Sequence, residues 1–136
     1  MKRILLTGAI GFIGRYCFQL LSAAENSEIH AVSSNKQQKN GSDVHWHQTD
    51  LLDYGQVSEL MAEVKPSHLL HLAWYTVPGK YWNSIENIRW VQASLSLLHA
   101  FSLHGGQRAV MAGTCAEYDW KYGYCSENIT PLVPAT

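Results

Sequence analysis

Apolar residues come in short bursts separated by polar or glycine-rich breaks. Ile4 to Thr7 is an apolar run ending at Gly8, the pattern of a strand buried on both faces. From Phe12 to Ala24 the residues Ile13, Cys17, Leu20 and Leu21 recur at helical spacing. Ile29 to Ser33 predicts a second strand, and the polar stretch Ser34 to Ser42 a loop. Val44 to Gln48 predicts a third strand, polar enough to lie near a sheet edge. Asp53 is placed to cap a helix from Tyr54 to Val64 whose Val57, Leu60, Met61 and Val64 share one face, and Pro66 ends that region. Leu69 to Ala73 predicts a fourth strand, Tyr75 to Trp82 an aromatic loop, and Ser84 to His104 a long helix stopped by Gly105-Gly106. Ala109 to Ala112 predicts a fifth strand, and residues 114–136 an irregular tail.

Strands that alternate with helices predict an α/β fold with a parallel sheet covered by helices. Right-handed crossovers then allow the strand order 3-2-1-4-5 of a Rossmann-type doubly wound sheet. The length of 136 residues fits a single domain over 1–136.

Composition narrows the function. Hydrophobic residues make up 46% and charged residues 15%, a globular balance. A formal net charge of -1 and the lack of a basic run with interleaved aromatics argue against a nucleic-acid partner. No stretch is apolar enough to span a membrane, and the opening Met1-Lys2-Arg3 with Ile4-Leu5-Leu6 is broken by Gly8 and Gly11 before it resembles a signal peptide. The irregularly spaced Cys17, Cys115 and Cys125 fit reduced thiols in a cytoplasmic protein.

The segment Thr7-Gly8-Ala9-Ile10-Gly11-Phe12-Ile13-Gly14 carries the strongest chemistry. Between a strand and a helix, Gly8 permits a tight turn, Gly11 lets backbone approach a pyrophosphate, and Gly14 lets helix and strand pack closely. The N–H groups at the helix start then face phosphates. Ile10, Phe12 and Ile13 lie in the same turn and count with the three glycines as cofactor contacts. The alternative is a glycine turn with no ligand.

With Asp50-Leu51, Pro66, His71-Leu72-Ala73, Gly113-Thr114 and Tyr118, this segment resembles the extended short-chain dehydrogenase/reductase family of sugar-nucleotide epimerases, dehydratases and reductases. The resemblance implies that Asp50 accepts a hydrogen bond from the adenine amino group and that Leu51 packs on the ring. It also implies that backbone at Leu72 and Ala73 passes the cofactor, and that Thr114 hydrogen-bonds the substrate oxygen undergoing redox chemistry. Asp50 also fits a turn or capping role, Thr114 a strand-end hydroxyl bonded to backbone, and His71 a satisfied core histidine.

An acidic residue after the second strand would bind the ribose of NAD. Here Ser33-Ser34-Asn35-Lys36 stands instead, so Ser33, Ser34 and Lys36 point to NADP ahead of NAD, with an ordinary polar loop as the alternative. Cys115 and Ala116 stand where the family's dehydratases carry an Asp-Glu pair, which favours an epimerase or 4-ketoreductase acting on a nucleotide-linked sugar.

Two departures from the family matter. Trp90 stands where the long helix usually carries Asn, with Asn87 one turn earlier as a substitute. None of the seven tyrosines has Lys four residues later, so the family's Tyr-x-x-x-Lys dyad is missing. Pro131 and Pro134-Ala135-Thr136 resemble the lead-in to that dyad, and the expectation is a fragment cut before the remaining strands and the substrate domain. The competing reading is a dinucleotide-binding sensor or pseudoenzyme.

His45 and His47 alternate along one strand and are expected on a solvated face, with no third ligand for a metal. The aromatics of the loops, among them Trp74, Tyr81, Trp82 and Trp120, flank a ligand or pack the core. On the long helix, Ile88, Val91, Leu95 and Leu98 form one apolar stripe and Trp90, Leu97 and Phe101 another. One sheet can bury only one of them, and the resemblance places the second in a subunit interface, so a homo-oligomer is expected.

Overall fold

The computed structural model describes residues 1–35 and 44–133. Lys36 and the closing Pro134-Ala135-Thr136 lie outside the described residues. Five parallel strands, β1 (Lys2–Thr7), β2 (Ser27–Ser33), β3 (Val44–Gln48), β4 (His68–His71) and β5 (Arg108–Met111), form one sheet in the order β3-β2-β1-β4-β5. Three α-helices connect them among the described residues: α1 (Gly14–Ser22), α2 (Tyr54–Val64) and α3 (Glu86–Leu103). Short 3-10 turns lie at Tyr81–Asn83, Cys115–Glu117 and Trp120–Tyr122.

The predicted sheet order is the observed one, and the element boundaries differ in instructive ways. α1 begins at Gly14 and not at Phe12, because the Gly11 N–H bonds back to the Gly8 carbonyl at 2.9 Å and residues 8–13 form a turn. β4 ends at His71, so Leu72 and Ala73 leave the ladder. The capping expectation for α2 holds: Asp53 Oδ1 accepts from the N–H groups of Gly55 at 2.8 Å and Gln56 at 3.3 Å. Those bonds hold the Asp53 carboxyl below its ordinary pKa, led by the side-chain bond from Gln56.

The sheet buries its two faces unequally. Toward α2 and α3, Leu5, Val32, Leu69 and Leu97 pack with Val57, Leu60, Met61, Val64, Ala100 and Phe101. Toward α1 a smaller cluster holds Leu6, Ala9 and Ala31, with Phe18 and Trp46 rings 5.5 Å apart beside it. The interface stripe expected on α3 is reversed. Trp90, Leu97 and Phe101 pack in the core because Ala93, Ser94 and Ala100 between them are small enough to bring the helix down onto α2 and the sheet. Ile88, Val91 and Leu95 are the residues left outside, 57%, 46% and 62% exposed. Every residue of β5 is exposed, including Val110 and Met111.

Apolar surface of this extent and an open strand edge favour association. The expected result is a dimer or larger assembly by light scattering at micromolar concentration. A monomer that binds no hydrophobic dye contradicts it.

Candidate functional site

All strands are parallel, so their C-terminal ends share one edge of the sheet. The glycine turn follows β1, Ser33-Ser34 closes β2, Asp50-Leu51 follows β3, Leu72-Ala73 follows β4 and Thr114 follows β5. The connections from β1 and β4 leave in opposite directions between these neighbouring strands, which is where doubly wound sheets bind ligands.

The turn has glycine where side chains would not fit. Gly8 has φ +71, and a Cβ there would lie 2.8 Å from the Ala73 nitrogen and the Leu72 carbonyl carbon. A Cβ on Gly14 would lie 1.9 Å from the Gly8 carbonyl oxygen. Both contacts are with backbone, so the turn is pressed between the start of α1 and the end of β4. Gly11 is exposed on its outer side, and Ile10, Phe12 and Ile13 beside it are 56%, 78% and 57% exposed. No side chain caps the start of α1, which leaves that end to an external acceptor such as phosphate. Arg15, which carries no signal in the sequence pattern, lies 5.4 Å and 4.9 Å from the Phe12 and Tyr16 ring centres and is a cation beside this turn.

A buried relay fixes the turn to the rest of the fold. Thr7 Oγ1 accepts from the N–H groups of Leu72 at 3.2 Å and Ala73 at 3.3 Å, and lies 2.6 Å from His71 Nδ1. With both acceptor directions taken, the Thr7 hydroxyl donates to Nδ1. His71 therefore carries its proton on Nε2 and donates it to Ser94 Oγ on α3, 2.8 Å away. Burial holds the His71 pKa down to about 4, so the ring is neutral. His71 is thus the satisfied core histidine that the sequence allowed, and its partners were not legible there.

The remaining candidates are placed unequally. Ser33 is buried, with its hydroxyl accepting from Asn35 N–H at 3.1 Å, while Ser34 is exposed. Asp50 is exposed, and its Oδ1 accepts from Leu52 N–H at 3.0 Å in a local turn. The Leu51 side chain is 8% exposed and belongs to the core beneath α2. Thr114 is exposed, and its Oγ1 accepts from Ala116 N–H at 3.1 Å, which leaves the hydroxyl proton to donate elsewhere. Asn87 is committed to the aromatic loop: it accepts from Trp74 Nε1 at 3.1 Å and donates to the Tyr81 carbonyl at 2.6 Å. Two cavities, of about 410 and 120 Å3, lie away from the glycine turn; the larger is at the opposite edge, beside Met1, Glu25, Asn26, Glu28 and His45.

The solvated face expected for His45 and His47 needs correction. Only His45 is open to water; His47 is half-buried and bonded to His30 of β2. Among the described residues no group of His, Cys, Asp and Glu could hold a metal ion, and no helix is long and apolar enough to cross a membrane.

The model of the NAD dependent epimerase/dehydratase family matches residues 4–135. The chain belongs to this family. Among solved structures, a UDP-glucose 4-epimerase of Thermus thermophilus in complex with NAD is 25% identical, with a TM-score of 0.80 over 98% of this chain and 45% of that one. The Bordetella bronchiseptica enzyme WbmG in complex with NAD and UDP is 21% identical, with a TM-score of 0.77 over 98% and 44%. The uronate dehydrogenase of Agrobacterium tumefaciens is 25% identical, with a TM-score of 0.68 over 87% and 42%. The chain of this epimerase/dehydratase family member thus spans under half the length of these solved relatives.

Proposed function

We propose that this chain is the dinucleotide-binding part of a cytoplasmic NAD(P)-dependent epimerase or 4-ketoreductase that acts on a nucleotide-linked sugar. The observation that carries the reading is the glycine turn, wedged by backbone contact against Leu72 and Ala73 at the point where β1 and β4 diverge. A dinucleotide pyrophosphate would lie over Gly11 and the uncapped start of α1, its adenosine end toward Ser34 and Asp50, and its nicotinamide end toward Ala73 and Thr114. When bound, the cofactor supplies hydride transfer. Thr114 would donate its hydroxyl proton to the substrate oxygen and stabilise the charge developing there. The UDP-glucose 4-epimerase of Thermus thermophilus, 25% identical, supports the reaction class.

Ser34 and Lys36 favour NADP over NAD, since a hydroxyl and a cation suit a 2′-phosphate better than a carboxylate does, while the buried Ser33 hydroxyl shapes the turn by accepting from Asn35 N–H. Calorimetric titration with both cofactors is expected to show tighter binding of NADP(H). Tighter binding of NAD(H) overturns the preference, and failure of both to bind at millimolar concentration overturns the dinucleotide reading.

The chain of 136 residues contains no Tyr with Lys four positions on. Loss of a positioned acid or base typically slows chemistry by about 10²–10⁴-fold. The chain by itself is therefore expected to turn over no UDP-sugar, as read by product chromatography. Robust turnover would show that another residue performs the proton transfer.

A further inference from the structure

Three imidazoles stack across β2 and β3 on the α2 side of the sheet. His30 pairs in register with His45, and the ring centres of His45 and His47 lie 4.9 and 5.2 Å from that of His30. His30 is 7% exposed, and its Nδ1 lies 2.9 Å from His47 Nε2, so the two rings share one proton. His30 Nε2 is buried with no hydrogen-bond partner. The closest anion is Glu28 Oε1 at 3.4 Å, which already faces His45 Nε2 at 3.1 Å. The ring planes of His45 and His47 lie within 20° and 25° of that of His30, and among the described residues no group of His, Cys, Asp and Glu could hold a metal ion, so a metal does not explain the arrangement.

The surroundings make the cluster sensitive to protons. Glu28 on β2 and Glu63 on α2 favour a charged ring, while Arg3 on β1 and the other imidazoles oppose it. Burial is the largest influence and holds both His30 and His47 below the ordinary histidine pKa. A first added proton must be carried by a ring largely withdrawn from water. A second would set two N–H groups against each other across 2.9 Å. The first proton keeps the N–H···N bond but buries a charge that water would hold better once β3 opens, and the second breaks the bond that joins β3 to β2 beneath the sheet.

We propose that the His30–His47 pair is a proton-operated latch that holds the edge strand β3 on the sheet at neutral pH and releases it on acidification. β3 leads directly into Thr49 and Asp50, and the Thr49 N–H bonds to the Ser33 carbonyl at 3.0 Å, so release would also disturb the adenosine end of the cleft. That consequence rests on the proposed function; the latch itself does not.

The test is amide hydrogen exchange of the ligand-free chain at pH 7.5 and 5.0, expressed as protection factors, with β1 as the internal standard. Protection over Val44–Gln48 is expected to fall at least about tenfold more than protection over Ile4–Thr7, given that the latch is local. In His47→Gln, which keeps a neutral polar group at that position, the excess fall should disappear. Equal loss in both strands, or the same excess loss in His47→Gln, overturns the latch. Ring-nitrogen NMR of the wild-type chain gives a second readout that needs no variant: His30 and His47 titrating independently near the ordinary histidine value would also overturn it. A parallel titration with NADP at both pH values separates the two claims. No binding at either pH counts against the proposed function, and the exchange result still judges the latch.

Discussion

Gly14→Ala is expected to abolish dinucleotide binding and to destabilise the fold. The new methyl would sit 1.9 Å from the Gly8 carbonyl oxygen and 2.7 Å from its carbon, and both are backbone atoms that no rotamer change can move aside. Relief requires the Gly8 peptide to shift. It cannot retreat toward β4, because even a Cβ on Gly8 would meet the Ala73 nitrogen and Leu72 carbon at 2.8 Å. The alternative is for α1 to lift away, which opens the packing of Phe18 and Leu21 over Leu6 and Ala31. Overpacking of this kind costs about 1–3 kcal/mol, and the phosphate-facing N–H groups lose their common direction. Denaturant midpoints should fall, and NADP affinity should fall about a hundredfold or more, the equivalent of roughly 3 kcal/mol. Gly11→Ala is the informative contrast. Its methyl would meet only the Gly8 oxygen, at 3.1 Å, on an exposed surface. Stability should change little while affinity drops, because the methyl occupies the surface a pyrophosphate would use. Equal stability loss in both variants, with affinity untouched, would mean that the glycines serve packing alone.

The second large effect is the loss of stability in mild acid through His71. Its pKa in the fold is about 4, held down by burial, against an ordinary value near 6.5. The unfolded chain therefore takes up a proton as pH falls below about 6.5, while the folded chain does not. The group's contribution is fully present above that point and is lost progressively as pH falls toward 4. Each pKa unit is about 1.4 kcal/mol, so the loss is about 2 kcal/mol by pH 5 and about 3 kcal/mol by pH 4. His30 and His47, also lowered, act with the same sign. The diagnostic comparison is therefore with His71→Asn, whose stability should fall at pH 7 and depend less steeply on pH between 6.5 and 4. Thr7→Val separates the relay from general packing. It removes the group that takes the Ala73 N–H bond and donates to the buried His71, while the Leu72 N–H keeps the Thr7 carbonyl at 3.3 Å; leaving a buried group unpaired costs about 1–3 kcal/mol. Thr7→Ser should restore most of the loss. Urea unfolding of the three variants from pH 7 to pH 4 measures each of these effects.

Much of this fold was legible because the sequence alternates cleanly. The runs at Ile4–Thr7, Ile29–Ser33 and Leu69–Ala73 have the apolar character of buried parallel strands, and right-handed crossovers allow the order that is observed. Glycine spacing located the candidate site, because the backbone clashes at Gly8 and Gly14 follow from where a strand must turn into a helix. Contacts between residues far apart in sequence were not legible. His71 bonds to Thr7 and Ser94, 64 and 23 residues away, and no periodicity within one element reveals such a pair. The same holds for His30, whose partner His47 belongs to the next strand. On α3 the two apolar stripes looked equivalent, and small residues decided between them: Ala93, Ser94 and Ala100 lie on the buried side. Small residues mark a helix's contact points as surely as large apolar ones, and here they mark the buried stripe.

The most direct test of the central claim is an amide chemical-shift map of the chain titrated with NADPH. The largest shifts are expected at Gly8, Gly11 and Gly14, with further shifts at Ser34, Asp50, Leu72, Ala73 and Thr114 along the C-terminal edge of the sheet. Shifts confined to the opposite edge, around Glu25, Asn26 and Glu28, or no shifts at millimolar cofactor, would contradict dinucleotide binding at the glycine turn.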